Sequence, residues 1–401
     1  MRVITIGDVG VVGGMMHIGD EAMFDALVAA LRVRGTSSVV GISSAPSETA
    51  ERYGIGGVDR IGFSGPRAEM AARFADVLRC ASGARALPAD DPAWAVIEAV
   101  AGADAVAIAG GGNLASTWPL HVYERAALAA IAERLGRPLV VTGQTLGPRL
   151  EAADRELVGG MLRSARLVGV REHASAELAR ELGVAPDRLV ANRDDATFLG
   201  IGDGDATAGT AEASAKRILV SLSVSLGGLP REQVVAGLAA SLDGLASRTG
   251  LPLLFHPHFG SVDPTVVAGD EVLHEEVRSR LRSPSEALQP GDPRPAARLA
   301  RGAAMLVTSR YHPAVFAGPG AVPIAALAAD DYTAVKLRGA TGWWEQDGVI
   351  ELATAASPAG ADALQGVWDA RESARSRARD LLPEAQAASS AWFDRVVDAL
   401  S

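Results

Sequence analysis

The chain has 401 residues, 48% of them hydrophobic and 21% charged, the size and balance of a soluble protein with two domains and a sizeable core. A net charge of −10 without a basic stripe argues against nucleic acid as a bulk partner, and a single cysteine, Cys80, excludes an internal disulfide and a cysteine-built zinc site. No apolar run reaches the roughly 18 residues that span a bilayer, and the opening Met1-Arg-Val-Ile-Thr-Ile-Gly reads as a strand rather than a secretion signal, so a cytoplasmic protein is expected.

Residues 3–6 form an apolar, β-branched run ending in Gly7-Asp8. A glycine-rich loop, residues 10–14, leads through His17 into a helix opened by Asp20 and Glu21, acids that suit the positive end of a helix dipole. A strand at 39–43 follows, so the chain opens strand–helix–strand, the signature of a parallel sheet. Helices are expected at 67–80 and 94–101, then a strand at 104–109 that runs into Gly110-Gly111-Gly112-Asn113. The alternation continues with a helix at 122–135, a strand at 138–142 running into Gly143-Gln144-Thr145, and a helix at 151–164. A strand at 167–170 ends at Arg171; a helix at 175–182 and a short strand at 188–191 lead to Asp194-Asp195. Residues 200–215 are rich in small residues and read as a linker between an N-terminal domain, 1–199, and a C-terminal domain, 216–401. Beyond it come a strand at 218–224, a helix at 231–249, a strand at 251–255 ending in His256-Pro257-His258, helices at 270–281 and 295–302, and strands at 303–307 and 322–327. Two helices, 360–382 and 383–400, close the chain and are expected to pack back on the N-terminal domain. The expected fold class is α/β, two Rossmann-like doubly wound domains facing a cleft.

The two glycine-rich loops each admit two readings: a tight strand–helix turn, or backbone that approaches an anion at a helix start. Neither is the G-x-G-x-x-G of dinucleotide enzymes, and no Walker pattern or G-x-S-x-G elbow occurs. His256 and His258, with Asp263 nearby, lack a third His or Cys ligand, so no metal is expected. Residues 309–336 are the most informative stretch. Arg310, Tyr311 and His312 stand just past a strand's carboxyl end, where open α/β sheets put their ligands. His312 there is either a proton carrier, as an imidazole near neutrality can be, or a satisfied core residue. Lys336 stands out because the chain uses 36 Arg and two Lys; it suggests a compact point charge where a planar fork would not serve.

Several segments, in order, resemble the polysaccharide pyruvyl transferase family. His17-Ile18-Gly19-Asp20-Glu21-Ala22 resembles its N-x-G-D-E-A loop, residues 108–114 (I-A-G-G-G-N-L) its triple-glycine strand end, and Gly143-Gln144-Thr145-Leu146-Gly147-Pro148 its G-Q-G-I-G-P motif. Val170-Arg171-Glu172 with Ser175, Asp194-Asp195-Ala196, Arg310-Tyr311-His312 and the segment down to Lys336 resemble its R-D-x-x-S, D-P-A, R-L-H and G-V-P-x-I…K patterns. His17, Thr145 and Asp195 depart from the family's Asn, Gly and Pro. The resemblance implies a glycosyltransferase-B-like fold. It also implies transfer of the enolpyruvyl unit of phosphoenolpyruvate to two hydroxyls of a sugar or glycan, giving a pyruvate ketal and phosphate with no cofactor and no obligatory metal. By the same resemblance Arg171, Arg310 and Lys336, with Gly111, Gly112 and Asn113, hold the donor. His312 is then the general acid, and Asp20 or Glu21, with Asp263 a further candidate, assists as base. His17, Trp118, His121 and Gln144 are the expected acceptor contacts. The acceptor is a sugar, glycan or lipid-linked saccharide, and the last would bring a peripheral membrane contact. Two other readings stay open: a nucleotide-sugar-dependent glycosyltransferase of the same shape, and a binding protein that kept the fold.

Overall fold

The computed structural model describes residues 1–201 and 216–401. Of the linker read at 200–215, residues 202–215 lie outside the described residues. The strands in chain order are β1 (Arg2–Ile6), β2 (Met15–His17), β3 (Ser38–Ser43), β4 (Gly56–Asp59), β5 (Ala105–Ile108), β6 (Gly111–Leu114), β7 (Leu139–Leu146) and β8 (Leu167–Val170). They continue with β9 (Leu189–Ala191), β10 (Ile218–Ser221), β11 (Leu253–Phe255), β12 (Phe259–Ser261), β13 (Ser285–Ala287), β14 (Met305–Thr308), β15 (Ile324–Ala328) and β16 (Val349–Glu351). β5 and β14 are buried throughout, as strands covered on both faces must be, and this is why they read as unbroken apolar runs.

One compact unit comprises Met1–Val12, Met23–Asp195 and Ala388–Ser401. Its sheet runs β4-β3-β1-β5-β7-β8-β9, with β6 pairing β7 and every pair parallel. Side chains alternate between two cores. Ile4, Ile6, Val106 and Ile108 enter one, and Val3, Ala105 and Ala107 enter the other with Phe24, Leu27 and Trp392. The strand order reverses between β1 and β5, and ligands of open α/β sheets bind at such a reversal, outside the carboxyl ends.

The other unit comprises Gly13–Ala22 and Ala196–Ala387. Its parallel sheet runs β13-β11-β10-β14-β15-β16, reversing between β10 and β14. A two-stranded antiparallel ribbon, β2 with β12, pairs Met16 with Gly260.

The observed elements differ from the expected ones in identifiable places. Gly13–Ala22, read with the N-terminal domain, belongs to the second unit, held by the β2–β12 ribbon. Residues 371–400 form one helix with Pro383 inside it, where a break was expected. The missing proline N–H is tolerated because Ala378 and Ala385, on either side of it, are buried with Ala321 and Trp344. Ala388–Ser401 of that helix counts with the first unit. The glycine-rich stretches after β5 and in 143–145 are strand, as β6 and the end of β7, with a register shift between them. Asp330 accepts from Thr333 N at 2.8 Å and closes a capping box on helix Asp331–Gly342. No helix among the described residues is long and apolar enough to cross a membrane.

Candidate functional site

In the second unit the reversal between β10 and β14 carries the residues that follow β14. Thr308 Oγ1 accepts from Arg310 N at 2.9 Å, and Ser309 Oγ accepts from Ser223 N at 2.7 Å, so the turn is fixed from both sides. The Arg310 guanidinium grips Asp270 through two N–H groups, Nε at 2.8 Å from Oδ2 and Nη2 on Oδ1. Asp270 also accepts from His258 N at 3.2 Å and Phe259 N at 2.9 Å. Arg310 lies 5.7 Å over the Phe259 ring, and the His17 ring stacks on that same ring at 4.0 Å. A bidentate pair with an aromatic floor leaves the guanidinium little rotamer freedom.

His312, in helix Tyr311–Ala317, rests its ring against Gly19. A Cβ at Gly19 would overlap the imidazole, so only glycine permits this approach in the first turn of helix Ile18–Val33. Phe316 lies 5.9 Å from both His312 and His258. Lys336 Nζ sits 5.3 Å from the Tyr311 ring and 4.6 Å from the Tyr332 ring, and donates to Tyr332 Oη at 3.2 Å. Asp20 is half-buried, 4.0 Å from His17 Nδ1, while Glu21 is buried. The second unit thus gathers His17, Gly19, Asp20, Glu21, Arg310, His312 and Lys336, which sequence order scatters.

Three further imidazoles stand behind them. Burial, then the neighbouring His256, His312 and Arg310, hold His258 well below the usual histidine range. Burial lowers His256 to about 4 and His274 to about 3. His274 Nε2 accepts from Leu222 N at 2.9 Å, so its proton sits on Nδ1. Asp263 is engaged locally, accepting from Thr265 N at 2.9 Å. Among the described residues no group of three or more His, Cys, Asp or Glu could hold a metal ion.

In the first unit the expected residues fall into two places. Asp8, just past β1, receives Arg60 at 2.5 Å and Asn113 Nδ2 at 3.1 Å, and His121 Nε2 lies 3.7 Å away. Arg125 Nη1 meets His121 Nδ1 at 3.2 Å, and Trp118 stands edge-on to His121 at 6.4 Å. Burial would raise the Asp8 carboxyl, but the charges of His121, Arg125 and Arg60 outweigh it and hold the group far below the usual carboxylate range.

Deeper in the sheet, Gln144 is buried and donates from Nε2 to Ala109 O at 2.6 Å, while its Oε1 has no hydrogen-bond partner. Gly111 and Gly112 are buried in β6. Arg171 is 1% exposed; its Nε donates to Thr145 Oγ1 at 2.8 Å and its Nη1 pairs with Asp194 Oδ2 at 2.7 Å. Its Nε and Nη1 are thus engaged by Thr145 and Asp194, residues of its own unit.

Asp195 lies against glycine, since a Cβ on Gly143 would come within 2.6 Å of Oδ2, and its Oδ1 accepts from Trp392 Nε1 at 2.9 Å. Burial and then the Asp194 charge push its carboxyl from 3.8 to about 7. The fold therefore favours the protonated form. That stability is fully present below the unfolded value of 3.8 and is lost as pH rises through about 7. Asp195→Asn keeps an oxygen for Trp392 and never ionises. It is expected to gain on the order of 2 kcal/mol at pH 8 over wild type and to flatten the fall in stability between pH 4 and 7. Denaturant unfolding at pH 5 and pH 8 checks this; equal pH slopes for the two proteins would refute it.

Sequence reasoning did not single out Asp8, Arg60, Asp270 or Gly19 as site-forming. Asp8 carried the same cue as Arg310, a charged residue just past a strand, whereas Asp270 and Gly19 are recognised only through partners distant in sequence.

Comparison with known proteins gives both fold and family. UDP-GlcNAc 2-epimerase from Neisseria meningitidis, bound to UDP-GlcNAc, is similar over 100% of this chain and 99% of its own, with 12% identity and a TM-score of 0.62. Anabaena Alr3699/HepE in complex with UDP and glucose is similar over 100% of each chain, at 12% identity and TM-score 0.59. The calicheamicin glycosyltransferase CalG4 is similar over 100% and 98%, at 15% identity and TM-score 0.54. The fold is therefore α/β of the glycosyltransferase-B-like class. No curated protein matched the sequence. The family model described as polysaccharide pyruvyl transferase matches residues 17–323, which takes in the His17–Ala22 segment, the β5–β7 glycines, Arg171 and Arg310–His312. The chain belongs to the polysaccharide pyruvyl transferase family.

Proposed function

We propose that the protein is a phosphoenolpyruvate-dependent ketal pyruvyltransferase that acts on two hydroxyls of a sugar or glycan. The observation that supports this most is the set at the end of β14: Arg310 fixed by Asp270, His312 seated on Gly19, and Lys336 over two tyrosines. Phosphoenolpyruvate brings a carboxylate and a phosphate; Arg310, whose side chain stays 23% exposed, would meet it with the N–H groups not used on Asp270, and Lys336 would add a point charge. The first turn of helix Ile18–Val33, beside His312, adds backbone dipoles favourable to an anion.

His312 gives a proton to the terminal enol carbon, which becomes a methyl group, and C2 becomes electrophilic. One sugar hydroxyl forms a bond to C2. The second then forms its own as the C2–O bond to phosphate breaks. Two hydroxyl protons are lost; one balances the proton delivered to carbon and the other leaves with phosphate. Half-buried Asp20 is the more accessible base, and buried Glu21 the less. No electron changes hands, so the reaction asks for no redox cofactor. Arg171, closed off with Asp194 and Thr145, we assign to positioning the end of β7 rather than to gripping the donor. Gly111, Gly112 and Gln144, all buried, are assigned the same supporting role, and His17, stacked on Phe259, is kept as an acceptor contact.

Nucleotide-sugar-dependent glycosyl transfer is the second reading, supported by the likeness to proteins described with UDP-GlcNAc or with UDP and glucose. Incubation with phosphoenolpyruvate and an acceptor panel separates the two. Acceptor-dependent phosphate release and a product carrying the ketal, read by mass, are expected. Turnover of a UDP-sugar with no consumption of phosphoenolpyruvate would overturn the proposal.

A further inference from the structure

The network around Asp8 is not used by the chemistry above. It stands at the order reversal of the first sheet, with Asp8 after β1 and Asn113 after β5, on either side of the switch. It remains partly open to solvent: the Asp8 side chain is 25% exposed, and Trp118, beside His121, is 44% exposed. The open indole offers a flat apolar face with a polar N–H at its edge.

The charges select the ligand class. A carboxylate offers about four lone-pair positions, and Arg60, Asn113 and His121 approach three of them. One acceptor direction remains next to cationic and amide donors. A free cation would be repelled by Arg60 and Arg125, and at the remaining Asp8 acceptor direction itself an anion would meet a like charge. A neutral polyhydroxyl meets both, because each hydroxyl donates to a carboxylate and accepts from a neighbouring N–H. Its apolar ring face suits an exposed indole.

We propose that Asp8, Arg60, Asn113 and His121, with Trp118 as stacking face, form a binding site for a neutral saccharide. Of this set Asp8 alone precedes the stretch matched by the family model, 17–323. That the saccharide is the acceptor rests on the pyruvyl transfer reading; that the site binds a sugar does not.

The test therefore has two arms, both on the full chain. In the first, binding of galactose, glucose, mannose, N-acetylglucosamine and their β-linked disaccharides is followed by saturation-transfer NMR without phosphoenolpyruvate. At least one sugar is expected to bind, and Asp8→Asn and Trp118→Ala are each expected to weaken it about tenfold or more, on the scale of one buried charged hydrogen bond or one stacking face. In the second, steady-state kinetics should show the acceptor KM raised about tenfold in both variants with the phosphoenolpyruvate KM unchanged. His121→Gln serves as a further variant should Asp8→Asn unfold, with melting temperature as the check. Sugar binding without any pyruvyl transfer would sink the proposed reaction and leave this site standing. No sugar bound by wild type, equal binding by the variants, preference for glucuronate or glucose 6-phosphate over neutral sugars, or a raised phosphoenolpyruvate KM alone would each overturn the site.

Discussion

Gly19→Ala is expected to lower kcat/KM with phosphoenolpyruvate by about 10²-fold or more while the protein stays folded. The new methyl group would fall within 2.5 Å of His312 Cε1 and Cγ and still closer to Nδ1. Either the ring rotates away or the first turn of helix Ile18–Val33 moves, and a shift of about 1 Å at a reacting group costs on the order of 10²-fold. Stability should change little by comparison, since alanine is the better helix former by about 0.5–1 kcal/mol, which offsets part of the strain. On the proposed role of His312, His312→Ala sets the scale, because loss of a general acid costs about 10²–10⁴-fold. If Gly19 acts through His312, the double variant will be no slower than His312→Ala alone, since residues in contact couple. Rates that multiply in the double variant would show that Gly19 acts elsewhere.

Arg171→Ala should be the most destabilising single change, at about 3–5 kcal/mol, the usual cost of breaking one side of a buried ion pair. The reason lies in what is left behind. Asp194 is as buried as Arg171, and Thr145 Oγ1 also loses its donor. Against a total of about 5–15 kcal/mol this is a large share. Replacing both together, Arg171→Met with Asp194→Leu, should recover part of the loss because the Asp194 charge goes with its partner, while buried Glu172, 3.9 Å from Arg171 Nε, keeps its own. Urea unfolding midpoints read both effects; a single variant with an unshifted midpoint would mean that Asp194 is reached by water or another cation in the fold.

The parallel strands were legible because burial on both faces demands uninterrupted apolar runs, as β5 and β14 show. The Arg310–His312 turn was legible for a related reason: polar residues at the end of such a run have little else to do there. Three things were hidden. β6 is written Gly-Gly-Asn-Leu, which has no strand preference, and exists because it pairs with β7. Pro383 carries a helix-start cue that tertiary packing of Ala378 and Ala385 overrides. The seating of His312 on Gly19 joins segments from opposite ends of the chain, and no local pattern encodes it. The ordered motifs found the family, yet they did not mark Asp270, although it fixes Arg310.

The assignment of Gly13–Ala22 to the second unit has a consequence for how the chain can be inherited and dissected. A fragment beginning at the linker would lack β2, the partner of Phe259–Ser261, and would lack Gly19, on which His312 rests. A fragment ending at the linker would carry those residues with nothing to pair them. The halves are therefore not exchangeable cassettes. A chimera that keeps the second half of one relative must also import that relative's Gly13–Ala22 segment, or His312 will lose the glycine it rests on.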